Sequence, residues 1–519
     1  MTVSLFPTMN LFSNGSSSLL LGLQVLPLIG CLIVYTTPAW NIRQIRGSSF
    51  IVSLLTFLLS LVLWILFDPT SADWQFRYDF KWLFNAAIEP SDGHLFHLSF
   101  CFGIDGISLW LVLLTTFLTP ICILVGWHVP VTLKIKAHTY YKMYCLIWLI
   151  LETILITVFT ARDLLVFYIF FEAVLIPMFL LVGLFGSRPR NIRAGYKMFL
   201  FTLAGSLPML VGILIIYFQC GSTDWSILTL SYFSPNRQLI LCMLFFVSFA
   251  VKAPLVPFHG WLPETHSNAP TAGSIILAGI LLKLGTYGFL RWLISLFPFA
   301  CIYFAPFVYL ISLIGIIYVS LITLRQVDVK KIIAYSSVAH MAVCLLGLFS
   351  FNVQGLEGGL LMMVGHGLVS PGLFLCIGLL YDRYHTRVVH YYGGLAQIMP
   401  LLASSMLILT MGNISLPVLS PTFAAEMLII TGVFLTNRLL AILTATTMVL
   451  TAAYALLLYC RVFYGQLKTV YISKFADLSR REFMCLMPFV VLSIVLGVCP
   501  SLVLDTSHVS IAYILLSYA

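Results

Sequence analysis

Phe167–Gly186 reads FYIFFEAVLIPMFLLVGLFG, twenty residues of which one, Glu172, is charged. A run of about 20 apolar residues is the length that crosses a hydrocarbon core as a helix. A soluble core helix rarely needs twenty such residues. This stretch therefore reads as a membrane span, with a carboxylate near its middle and Pro177 five residues on. Runs of the same kind recur along all 519 residues, which are 61% hydrophobic and 9% charged. A soluble domain carries about 25% charged residues. The fold class is an all-α polytopic membrane protein, with about fourteen transmembrane helices.

The first apolar run has no basic segment before it and no small-residue cleavage site after it, so it reads as a retained helix. The twelve cysteines are scattered singly without a CxxC. That pattern suits buried thiols packed as small hydrophobes. No nucleotide-binding glycine motif, phosphate-binding loop or HExxH is present. Lys and Arg set orientation through the connections between spans. Nineteen fall in the odd-numbered connections and six in the even-numbered ones. That bias fits an even helix count with both termini on the outer side. The net charge of +9 then reflects topology and not nucleic-acid binding.

A charge at the bilayer centre costs about 3 kcal/mol on insertion scales and usually faces a bundle interior. Seven such residues interrupt the apolar runs: Glu152, Glu172, Lys252, Lys283, His340, His366 and Glu426. Glu152 and Glu172 lie ten residues either side of Arg162, which places both about 15 Å deep at 1.5 Å per residue. His340 and His366 reach a similar depth, and Lys252 and Lys283 lie somewhat past it. Acids, lysines and histidines thus share one layer parallel to the membrane. That geometry suits lateral proton relay better than a pore along the normal. A lysine suits it because burial and a nearby carboxylate pull its proton affinity in opposite directions, with Glu172 the natural partner of Lys252. Histidine can bridge two proton donors. Asp105, in FGIDGIS, reads as a helix cap. His259, His266, His385 and His390 read as solvated connection residues.

Two spans carry proline breaks. Pro254 and Pro257 follow Lys252, and Pro417 and Pro421 precede Glu426. Each proline frees a carbonyl one turn earlier. Two interrupted spans, the seventh and twelfth, stand five helices apart. An odd number of helices per repeat inverts the second copy, and paired broken helices mark ion sites in transporters. The predicted organisation is helices 1–3 in residues 1–141, a first five-helix repeat in 142–292, an inverted second in 293–465, and a connection with helix 14 in 466–519.

The segments GIDGISLWLVLLTTFLTPICIL, RDLLVFYIFFEAVLIPMFLLVGLFG, VKAPLVPFHGWLPETHSNAPTAGSIILAGILLKLGTYG, VDVKKIIAYSSVAHMAV and SPGLFLCIGLLYDRYHTR resemble the chain 4 family of antiporter-like subunits of NADH–ubiquinone oxidoreductase, respiratory complex I. The resemblance spans roughly residues 100–465. It implies a proton-translocating membrane-arm subunit in the mitochondrial inner membrane, with both termini on the intermembrane-space side. NADH, FMN, iron–sulfur clusters and ubiquinone would bind other subunits, and none this chain. Neighbouring antiporter-like chains and lipids would be its partners. By resemblance, Glu172 is the acid of helix 5, Lys252 the lysine of helix 7 and Lys283 that of helix 8. His340 and His366 bridge toward the second half, and Glu426 is the terminal acid of helix 12. Two departures stand out: Asn268 replaces an acid in HSNAP, and Ala425 precedes Glu426 in place of a glycine-rich run. Three other readings stand beside this one: a multi-subunit cation/proton antiporter, a plastid or bacterial version of the enzyme, and a scaffold subunit whose buried charges only assemble neighbours.

Overall fold

The structure is a computed structural model and describes residues 10–83, 98–128, 137–186, 190–471 and 476–518. Lys134, Lys136, Arg188 and Lys474, which contribute to the charge bias, lie outside the described residues. The helices run α1 Asn10–Thr36, α2 Ile42–Leu66, α3 Gly106–Val125, α4 Ala137–Thr160, α5 Leu164–Phe185 and α6 Asn191–Cys220. Then follow α7 Pro235–Lys252, α8 Trp261–Asn268, α9 Thr271–Ile294, α10 Pro298–Arg325, α11 Val329–Leu348 and α12 Val353–Tyr384. The chain closes with α13 Pro400–Asn413, α14 Pro421–Thr436, α15 Arg438–Phe463, α16 Arg480–Val498 and α17 Ser501–Leu515.

Twelve of these helices are long and apolar enough to cross a membrane, among the described residues. The other two expected spans are each divided. The seventh falls on α7, a 3-10 turn at Phe258–Gly260, and α8. The twelfth falls on the shorter α13 and α14. Local chemistry explains where helices begin. Asp105, Asp163 and Asp328 accept hydrogen bonds from the first-turn amides of α3, α5 and α11, satisfying donors that have no partner inside the helix. Prolines open α7, α10, α13 and α14, where a missing N–H costs nothing. Pro177 sits inside α5, whose regular turns are interrupted at Val174.

A two-stranded antiparallel sheet was not foreseen in an all-α chain. β1 (Gln75–Leu83) pairs with β2 (Leu98–Ile104), with Tyr78 opposite Phe102 and Phe80 opposite Phe100. The sequence QFRYDFKWL alternates aromatic and charged residues, the period of a half-buried strand. This hairpin marks one face of the bundle, shared with the α4–α5 turn through a bridge between Phe102 and Ala161.

Burial separates the centre from the periphery. The most apolar stretches of α9 and α12 are buried throughout, and those of α1, α2 and α16 are one-third buried. Lipid supplies no hydrophobic drive between helices, so close packing must hold them, and small residues permit it. A Cβ at Gly365 would meet Pro421 and Thr422 at 3.0–3.2 Å, and one at Gly358 would meet Ala425, Leu428 and Ile429 at 2.9–3.0 Å. Those two glycines let α14 lie directly on α12. Eight of the cysteines are buried, while Cys460 and Cys499 are exposed.

Candidate functional site

α9 is the centre of the site. Its turns at Leu277–Leu281 and Phe289–Ile294 are π-helical, a wider coil that recurs at functional sites. Lys283, fully buried, donates back to the Ala278 carbonyl at 2.6 Å. Its Nζ also lies 2.7 Å from His366 Nδ1 on α12. The His366 and His340 rings lie 5.7 Å apart between centroids, inclined by 55°. His340 Nδ1, on α11, is 3.5 Å from Glu426 Oε1 on α14. Four residues from four helices therefore line up as one buried file, Lys283–His366–His340–Glu426, in which the Lys283–His366 contact is the one hydrogen bond among the described residues.

The protonation logic follows from donor inventory. A charged ammonium only donates, so with Lys283 charged His366 accepts at Nδ1 and carries its own proton on Nε2. With Lys283 neutral, the roles reverse across the same contact. The Nε2 atoms of both histidines have no hydrogen-bond partner among the described residues. Each ring can therefore take a proton at one nitrogen and give one up at the other.

The first half is arranged differently. Lys252, at the end of α7, lies 3.5 Å from the Phe171 carbonyl and 4.3 Å from the Phe171 ring. The expected Glu172–Lys252 partnership takes the form of a near neighbourhood and not a direct ion pair. Both Glu172 carboxylate oxygens are buried with no hydrogen-bond partner among the described residues. Gly285 brings α9 against α7, since a Cβ there would sit 2.6 Å from the Ala253 amide. That close approach puts the Lys252 and Lys283 segments side by side. No hydrogen bond joins the two lysines.

Glu152 does not join this row. It is fully buried, lies 2.5 Å from the Thr56 hydroxyl on α2, and sits among α1, α2 and α3. Depth along the sequence placed it in the layer, but its side of α4 faces the N-terminal helices. Other expectations also change. His266 is fully buried and stacks on Phe374 with centroids 4.5 Å apart. Lys330, counted as a connection residue, is 1% exposed and donates to the Ala269 carbonyl at 3.0 Å and Ser274 at 3.1 Å. Asp105 caps α3 as expected, and also pairs with Arg291. Arg291 is 2% exposed, with the Trp74 ring 4.4 Å from its guanidinium. His385 and His390 are exposed and His259 is half-buried.

A bundle of apolar helices with a buried file of lysine, histidine and glutamate defines an antiporter-like membrane domain. Residues 161–451 match the family model described as NADH:quinone oxidoreductase/Mrp antiporter, TM. Residues 80–158 match the model described as NADH-ubiquinone oxidoreductase chain 4, amino terminus. The chain belongs to the NADH-ubiquinone oxidoreductase chain 4 family. It is 52% identical over 491 residues to that chain of Marchantia polymorpha, covering 95% of this chain and 96% of the relative. The Arabidopsis thaliana relative gives the same identity and coverage. Among solved structures, a chain of respiratory complex I from Thermus thermophilus superposes with TM-score 0.82 at 29% identity, covering 96% of this chain and 99% of that one. A chain of the Mrp complex from Dietzia superposes with TM-score 0.82 at 19% identity, covering 98% of each. That likeness establishes shared fold only.

Proposed function

We propose that this chain is a proton-translocating membrane-arm subunit of NADH–ubiquinone oxidoreductase, and that Glu172, Lys252, Lys283, His366, His340 and Glu426 carry its protons. The observation that carries this reading is the 2.7 Å contact of Lys283 with His366, continued through His340 to Glu426. A proton arriving at Lys283 passes to His366 Nδ1. The Nε2 proton then leaves toward His340, whose Nδ1 proton moves to Glu426. Movement of the Glu172 charge relative to Lys252 loads and unloads the first half. Electron transfer from NADH to ubiquinone takes place in other subunits, which hold FMN and the iron–sulfur clusters, and its free energy sets the charge state at one end of the row.

The same reading places the chain in the mitochondrial inner membrane among neighbouring antiporter-like chains and lipids, with both termini on the intermembrane-space side. Residues 142–292 and 293–465 are then the two inverted five-helix repeats. The α7–α8 and α13–α14 pairs are their interrupted members, the seventh and twelfth spans. Unpaired carbonyls at such breaks are tolerated where protein or water satisfies them.

Affinity purification of the tagged chain from mitochondrial membranes tests the assignment. It should bring down an assembly with NADH–ubiquinone reductase activity whose turnover acidifies the outer side. Sodium–proton exchange without any redox partner would support a stand-alone antiporter instead.

A further inference from the structure

The seven membrane carboxylates, lysines and histidines do not form one set, because Glu152 has surroundings of its own. From α2, Thr56 Oγ1 is 2.5 Å from Glu152 Oε1. The helix that carries Glu152, α4, packs against α1, α2 and α3. Among the described residues, no Lys, Arg or His forms an ion pair with Glu152. Thr56 Oγ1 is also 2.7 Å from the Ser53 carbonyl. A hydroxyl has one hydrogen to donate and two lone pairs to accept with. That hydrogen cannot serve both acceptors fully, whereas a proton on Glu152 Oε1 satisfies both contacts, Glu152 donating to Thr56 and Thr56 to Ser53. Oε2 is buried without a partner.

Polar groups lead from this carboxyl toward the hairpin face. One turn outward on α2 and α3, Ser60 and Thr116 hydrogen-bond at 2.7 Å. Two turns outward on α4, Thr160 accepts from Gln24 Nε2 at 2.9 Å. The Gln24 carbonyl accepts from Tyr78 on β1, which is partly exposed. One helical turn, about 5.4 Å, separates the Ser60–Thr116 level from the Thr160–Gln24 level. Proton transfer between the levels then takes bridging water.

We propose that Glu152 is a second proton-binding site, separate from the central row. It exchanges its proton with the hairpin face along the Ser60–Thr116 and Thr160–Gln24–Tyr78 seam. Its existence does not depend on what the central row does.

Infrared difference spectroscopy of the assembled complex tests this. Wild type minus Glu152→Gln should show one protonated-carboxyl C=O band at neutral pH. On transfer to D2O its deuterium shift should slow several-fold in Gln24→Leu and keep its wild-type rate in Lys283→Leu. Absence of the band overturns the proposal. So does an exchange rate that Gln24→Leu leaves unchanged, or one that Lys283→Leu slows as much. If Glu152→Gln does not assemble, Thr56→Val serves in its place: it should shift the same C=O band by removing its hydrogen-bond partner, and no shift overturns the proposal.

Discussion

At the scale of single residues, a charge inside an apolar run is the strongest signal a membrane sequence offers. It is strong because the bilayer penalises it and only function or pairing retains it. Lys283, His366, His340 and Glu426 stood out for that reason, and the fold brings them near one another. Residues near the ends of the runs were not legible, since sequence gives no depth there. His266 reads as a connection residue and is buried, and Arg291 and Lys330, near the ends of their helices, are buried too. Glu152 shows the opposite error, because depth does not give direction around the helix axis. Two expectations belong at this scale. His340→Gln keeps a hydrogen-bonding side chain but cannot take a proton at one atom and release it at another. Assembled complex carrying it should transport markedly fewer protons per NADH, read as pH change against NADH oxidation in proteoliposomes. Asp105 and Arg291 form a buried pair, and removing one partner leaves a buried charge at a cost of about 3–5 kcal/mol. Arg291→Leu should therefore lower the amount of assembled complex on native gels, and Asp105→Leu with Arg291→Leu should recover part of it.

Elements carry the second level. Twelve helices and not fourteen are long and apolar enough to cross among the described residues. The all-α membrane-spanning character could be read from apolar length, which acts locally. The π turns of α9 could not, since no residue type marks a turn widened by one residue. Yet it is the Leu277–Leu281 turn that presents the Ala278 carbonyl to Lys283. The hairpin was missed because two short strands carry little weight among long helices. Packing of α14 on α12 depends on glycine, as Gly358 lies against α14 with no room for a Cβ. Gly358→Leu should force the helices apart, costing about 1–3 kcal/mol and separating Glu426 from His340. Thermal stability of the complex should fall together with proton transport, whereas Gly22→Leu, at a position with open space around it, should change neither.

At the scale of the whole molecule, the central row lies across the bundle, from α5 and α7 through α9 and α12 to α11 and α14. The two helices buried throughout their apolar stretches, α9 and α12, are the ones that hold Lys283 and His366. Interior position and proton-carrying side chains coincide. A tag following Ala519 should be open to protease in mitoplasts with an intact inner membrane, as expected for a terminus on the intermembrane-space side; protection would reverse the orientation. The most direct measurement is the number of protons moved per NADH oxidised by purified complex carrying Lys283→Ala in proteoliposomes. With the complex assembled and bound to its partners, coupled proton transport should be abolished or sharply cut. Assembled complex that still pumps at the wild-type ratio would contradict the central claim that this buried row carries the protons.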